Sequence, residues 1–227
     1  MKKMALVLAA VLASGMVLTA CGGSGNAAKE TTGNNTSTTT TTTGGLDLAV
    51  QVGPDPETVD PALNTAIDAS NIILHAFETL LTFDENNDIV PGQAESFDVS
   101  DDGLTYTFHL RDGLKWSDGS DFTAEDFVYS WKRLADPMTA APYAADMLSM
   151  VKGYEEAAAG DIDALAVSAP DAKTLVVELA SPCVYFDKII THASMAPVKK
   201  DVVDANGDQW ALAPETYVSN GPLKMIE

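Results

Sequence analysis

Cations are scarce in this sequence: 13 Lys and Arg stand against 33 Asp and Glu in 227 residues, a formal charge of −20. A surface that neutralises phosphates needs a clustered basic face, so nucleic-acid binding is excluded. Polybasic attachment to anionic lipid goes with it. Cysteine is scarcer still. Two residues, Cys21 and Cys183, cannot build a disulfide scaffold or a multi-cysteine zinc module. There is no Gly-rich phosphate loop and no G-x-S-x-G elbow to set up Ser-His-Asp catalysis. No apolar run reaches the ~20 residues that a spanning helix needs. What the chain does hold is 46% apolar and 20% charged residues, the balance of a folded domain rather than a disordered one. Length predicts one or two domains.

The N-terminus carries an address. Met1-Lys2-Lys3-Met4 is a short basic stretch, and Ala5 to Val17 is an apolar run too short to span a bilayer. Leu18-Thr19-Ala20-Cys21 closes it and resembles a bacterial lipobox. That resemblance implies a signal peptide over residues 1–20, a diacylglyceryl group on the Cys21 sulfur, and an extracytoplasmic protein tethered to the membrane by lipid alone. Residues 21–45 are rich in Thr and Gly without apolar periodicity, which predicts a flexible tether.

Beyond the tether the pattern changes. Leu46, Leu48, Val50 and Val52 alternate with polar or small residues, which predicts a half-buried strand. Ile73, Phe77, Leu80 and Leu81 predict one face of a helix over residues 67–81. Asp101-Asp102-Gly103 is turn chemistry, followed by a strand with Leu104, Tyr106, Phe108 and Leu110 on one face. Thr123 as N-cap with Asp126 three residues on opens a helix through Phe127, Trp131 and Leu134, and Asp136-Pro137 ends it. A second helical stretch is expected from 144 to 159, capped by Gly160, and another strand at Leu175, Val177 and Leu179. Leu223 and Met225 suggest a further strand beginning. Strands and helices mix without a regular βαβ repeat, so the class is mixed α/β.

Most chemical motifs fail when weighed. Asp84, Asn86, Asp88 and Glu95 fall at positions 1, 3, 5 and 12 of an apparent calcium loop, but Ile89 stands where the sharp turn needs Gly. A hairpin turn is the simpler account. His75 and Glu78 have helical spacing for a metal but no third ligand nearby, and Cys183 is expected to be a small buried hydrophobe. No metal, cofactor or catalytic residue is assigned, and a secreted hydrolase lacks its nucleophile and base.

Several strings point one way. Pro91-Gly92-Gln93-Ala94-Glu95-Ser96, then Asp101 through Arg111, then Lys115-Trp116-Ser117-Asp118-Gly119 and Thr123 through Trp131, resemble the oligopeptide-binding lipoproteins of ABC importers, extracellular solute-binding family 5. Val59-Asp60-Pro61 and Ser219-Asn220-Gly221-Pro222 match that family's flanking signatures in order. The resemblance implies a periplasmic-binding-protein-like fold of type II, in which two lobes close on a ligand and the first lobe carries an inserted subdomain. Residues 46–66 and 198–227 then belong to the first lobe and 67–197 to the insertion. Family members run to more than twice this length, so the second lobe lies outside this chain, with the acid that pairs with a peptide's α-ammonium. The implied function is capture of oligopeptides through main-chain hydrogen bonds, which tolerate any side chain, by a monomer that delivers them to permease and ATPase subunits. Relatives on the same scaffold bind nickel chelates, haem or oligosaccharides, or sense peptide pheromones. The conspicuous aromatics, Trp116 among them, are expected to be core. Carried over by position, the ligand-binding residues are Asp55, Pro56, Glu57, Tyr143 and His192. Pro56 has no N–H and contributes only its carbonyl, and a protonated His192 would favour the peptide's carboxylate.

Overall fold

The computed structural model describes residues 47–49 and 53–226. The expected signal peptide, Cys21 and the tether lie outside the described residues, as does most of the strand expected over 46–52; its middle, 47–49, has no regular structure. The architecture is that of the compact unit running from Ala49.

Its centre is a four-stranded antiparallel sheet. In chain order the first hairpin is β1 (Leu81–Phe83) with β2 (Ile89–Pro91), a separate two-stranded ribbon. Then β3 (Ala94–Val99), β4 (Thr105–Leu110), β5 (Val167–Asp171) and β6 (Thr174–Glu178) assemble in the order β3-β4-β6-β5. The alternation in β4 survives folding: Tyr106, Phe108 and Leu110 are buried, while Thr105, Thr107 and His109 are not. Tyr106 pairs with Val177 and Phe108 with Leu175, so directly opposed residues put their side chains on one face. Asp102 accepts the Leu104 amide at 3.1 Å, and Gly103 takes a φ of 70°, which closes the expected turn.

One long helix covers that face. Thr123 and Asp126 form a reciprocal capping box, with Asp126 accepting the Thr123 amide at 2.8 Å, and the helix runs Ala124–Ala135. Phe127, Trp131 and Leu134 are fully buried along one stripe. Emptying a buried Phe or Trp site of this kind costs about 3–5 kcal/mol. Asp136 leaves the helical region because Pro137 follows it. Strands and helices mix without βαβ units, so the class is mixed α/β as expected.

Three expectations need correction. The helix predicted over 67–81 stops at Ala76. Tertiary hydrogen bonds override its periodicity: the Asn220 amide pairs with both the N–H and the C=O of Glu78, and Gly221 N–H donates to the Ala76 carbonyl at 2.8 Å. A side chain at 221 would meet that carbonyl at 2.6 Å, so only glycine permits the approach. Phe77 instead wedges edge-on against the stacked pair Trp210 and Tyr217. The stretch over 144–159 splits into Ala144–Leu148 and Tyr154–Ala158. Between them Val151 bridges to Leu179, Lys152 N–H bonds to Glu178, and Gly153 takes a φ of 80° against the backbone of Ala164. Pairing with the end of β6 outcompetes helix continuation. Finally, residues 223–226 form no strand; Leu223 makes one ladder-like bond, to the His75 carbonyl at 3.2 Å.

Candidate functional site

Asp55, Pro56 and Glu57 lie in an irregular run, with both acids exposed and Pro56 half-buried. Among the described residues their side chains make no hydrogen bond or ion pair. The segment immediately C-terminal to them is, by contrast, tightly held. Asp60 is 3% exposed and accepts two bonds from the Arg133 guanidinium, at 3.0 and 2.6 Å, one from Trp210 Nε1 at 2.9 Å and one from the Ala62 amide at 2.9 Å. Burial works against the charge on Arg133, but hydrogen bonding and the charge of Asp60 outweigh it and raise its pKa. Tyr217 donates to the Val59 carbonyl at 2.8 Å, and burial pushes its hydroxyl far above the ordinary phenol range, so it stays a donor. The run at 55–57 therefore leads into a clamp that ties residues 59–62 to the long helix and to the 210–217 segment.

Tyr143 and His192, far apart in sequence, are brought together. Their rings meet edge to face with centroids 5.6 Å apart at 72°, and both side chains are half-buried. The long helix places them. Its proline stop sends the chain into the turn that ends at Tyr143, the N-cap of Ala144–Leu148. Its inner face holds the other partner, since Trp131 Nε1 donates to the Met195 carbonyl at 3.0 Å and Ser130 Oγ accepts the Val198 amide at 2.8 Å. His192 Nδ1 accepts the Ser194 amide at 3.1 Å. Burial lowers the imidazole's pKa, opposed only by the charge of Asp146. Burial thus disfavours the protonated form that would favour a carboxylate. No hydrogen bond or ion pair joins this pair to Asp55, Pro56 or Glu57 among the described residues.

The discounted motifs have ordinary structural jobs. Asp84 accepts the amides of Asn86 and Asp88 inside the β1–β2 turn, and Asn87 takes a φ of 63° there, while Glu95 sits exposed in β3. His75 is exposed and bonds to the carbonyl of Asn71. Glu78 holds Arg111 and Gln93. Trp116 is 2% exposed and packs on Phe122, and Cys183 is buried, so both are core as expected. No cluster of metal-binding side chains occurs among the described residues. A shallow cavity of about 290 Å³ lies between the end of β4 and the 121–123 loop. Its rim cations Arg111, Lys115 and Lys173 already pair with Glu78, Asp121 and Asp112, so no charge is left to hold an anion.

The clamp itself was not foreseen. Asp60 and Asn220 stand in the flanking signatures, but their partners are 73, 150 and 142 positions away, beyond any local pattern. The one local signal is an Asp and an Asn set directly before a Pro and a Gly.

Comparison with known proteins bears on what this arrangement serves. The family model for bacterial extracellular solute-binding proteins, family 5 Middle, matches residues 88–227. Escherichia coli YgiS, named "Probable deoxycholate-binding periplasmic protein", is 39% identical over 170 residues, 74% of this chain and 32% of the relative. The periplasmic oligopeptide-binding protein OppA of Salmonella typhimurium is 40% identical over 176 residues, 76% of this chain and 32% of the relative. Among solved structures, Haemophilus influenzae OppA in complex with RPPGFSPFR superposes with a TM-score of 0.74 at 39% identity, covering 78% of this chain and 35% of that one. The chain thus spans about a third of the length of these relatives.

Proposed function

The chain belongs to the bacterial extracellular solute-binding proteins of family 5, and from that membership we propose that it forms part of the extracytoplasmic receptor of an ABC importer for oligopeptides. In this reading residues 46–66 and 198–227 contribute to the first lobe and 67–197 form the inserted subdomain. Asp55, Pro56 and Glu57 offer main-chain groups to an extended peptide, and Tyr143 and His192 line the cleft. The observation that carries it is the meeting of Tyr143 and His192 as a half-buried pair with one ring nitrogen unpartnered among the described residues. A half-open polar–aromatic pair is what a site needs in order to grip a backbone and exclude water. In this reading the receptor binds its cargo and carries out no chemistry. It works as a monomer and passes its cargo to the permease and ATPase subunits.

Export follows from the N-terminus: residues 1–20 serve as signal peptide, Cys21 carries the lipid and 21–45 hold the folded part away from the membrane. Cys21→Ser then abolishes acylation and releases the protein from membranes; labelled palmitate entering the Ser variant would contradict this. A second reading, a different ligand on the same scaffold, is favoured by the name of YgiS at comparable identity. Mass spectrometry of ligands that copurify with the protein, produced at the length of its relatives, separates the two. Peptides of mixed sequence support the first reading. A bile acid, a nickel chelate, haem or an oligosaccharide would overturn it.

A further inference from the structure

The two nitrogens of His192 have different fates. Nδ1 lies within its own backbone turn: it accepts the Ser194 amide at 3.1 Å and so caps the 3₁₀ turn Ala193–Met195. A ring nitrogen that accepts carries no proton, which puts the hydrogen of the neutral ring on Nε2. The far end of the turn is itself held, since Trp131 Nε1 donates to the Met195 carbonyl. Tyr143 packs on the ring at a steep angle, with centroids 5.6 Å apart. Burial disfavours the imidazolium, and the acid that acts on it, Asp146 of the Ala144–Leu148 helix, does not reverse that. Nε2 has no hydrogen-bond partner among the described residues, although the ring is only half-buried. The outcome is a fixed, uncharged N–H donor on a ring that solvent can reach.

Resting on the reading that Tyr143 and His192 touch the ligand, we propose that His192 grips the bound peptide as a neutral Nε2–H donor to one of its oxygens, while Nδ1 serves only to cap the turn. A neutral donor requires an acceptor and no opposite charge. A main-chain carbonyl and a terminal carboxylate both meet that requirement.

Two substitutions separate the nitrogens, since Asn reaches with an oxygen to about the position of Nδ1 and Gln with an N–H to about that of Nε2. In the protein at the length of its relatives, His192→Asn leaves exchange of the Ser194 amide slow and weakens peptide binding about tenfold, the size of one hydrogen bond lost with its partner left unpaired. His192→Gln speeds Ser194 exchange while holding affinity within about threefold. Titrating a free-acid peptide and its C-terminal amide locates the acceptor: loss with both assigns a carbonyl, and loss with the acid alone assigns the terminal carboxylate. Nitrogen NMR of the wild-type ring at pH 7 shows a protonated Nε2 and a bare Nδ1. The inference is overturned if His192→Asn binds both peptides like wild type, or if the ring carries its proton on Nδ1 or is doubly protonated. Wild type binding neither peptide would defeat the functional reading as well, and the two failures are thereby told apart.

Discussion

Asp60 and His192 make two polar clusters of similar parts and opposite condition. Around Asp60 every oxygen is taken, by Arg133, Trp210 and the Ala62 amide, and the carboxylate is 3% exposed. At His192 one nitrogen is spent on the Ser194 amide, and the other, on a half-buried ring, has no hydrogen-bond partner among the described residues. A saturated buried cluster has nothing left to offer a ligand. Its value lies in the geometry it imposes, and removing one partner leaves a charge stranded. An unsaturated cluster at the surface contributes little to the fold and keeps a group available. The difference separates a cluster closed to any further partner from one with a group still to offer, and it predicts where substitutions will register.

The largest effect belongs to the clamp. Arg133→Met strands the Asp60 carboxylate and lowers stability by about 3–5 kcal/mol. Adding Asp60→Asn restores part of the loss, since the charge that needed a partner is gone; denaturant unfolding of the single and double variants measures it. Equal stability of wild type and Arg133→Met would erase the contrast between the clusters. Next comes Asn220→Ala, which leaves the Glu78 N–H and C=O without their side-chain partner at a cost of about 1–3 kcal/mol. Slowed exchange at Glu78 in wild type, lost in the variant, localises the effect.

The smallest effect is electrostatic. Burial pulls the Asp118 pKa up, but hydrogen bonds from Lys199 and Ser120 prevail and hold it at about 2. A carboxylate depressed in the folded state adds stability above its unfolded pKa of about 3.9 and loses it as pH falls through the folded value. With 36% of the side chain exposed, screening limits this to about 0.5 kcal/mol. Wild type should therefore lose about that much more than Asp118→Asn between about pH 4 and pH 2, as acid titration of stability would read.

Sequence reasoning succeeded where local rules and tertiary demands agree. The alternation of Tyr106, Phe108 and Leu110, the stripe of Phe127, Trp131 and Leu134, and the Thr123 cap all survive because burial rewards the same pattern that propensity favours. It failed where a distant segment competes for the backbone. Asn220 and Gly221 take the carbonyls that would have continued the first helix, and the end of β6 takes those between Leu148 and Tyr154. The pairing of Tyr143 with His192 was likewise invisible, since each was proposed separately and only the long helix brings them together. The environment of His192 was equally out of reach, since burial and the Ser194 amide are properties of the fold.

If the Tyr143–His192 face meets ligand and the Asp60 clamp does not, Tyr143→Ala must separate binding from stability. Calorimetric peptide titration of that variant in the protein at the length of its relatives, with its melting temperature read alongside, tests this most directly. Peptide affinity is expected to fall about tenfold or more while stability drops by less than about 1 kcal/mol, because a half-buried ring contributes little packing but a full contact to ligand. Unchanged affinity with a stability loss of about 3–5 kcal/mol, the cost of emptying a core aromatic site, would contradict it.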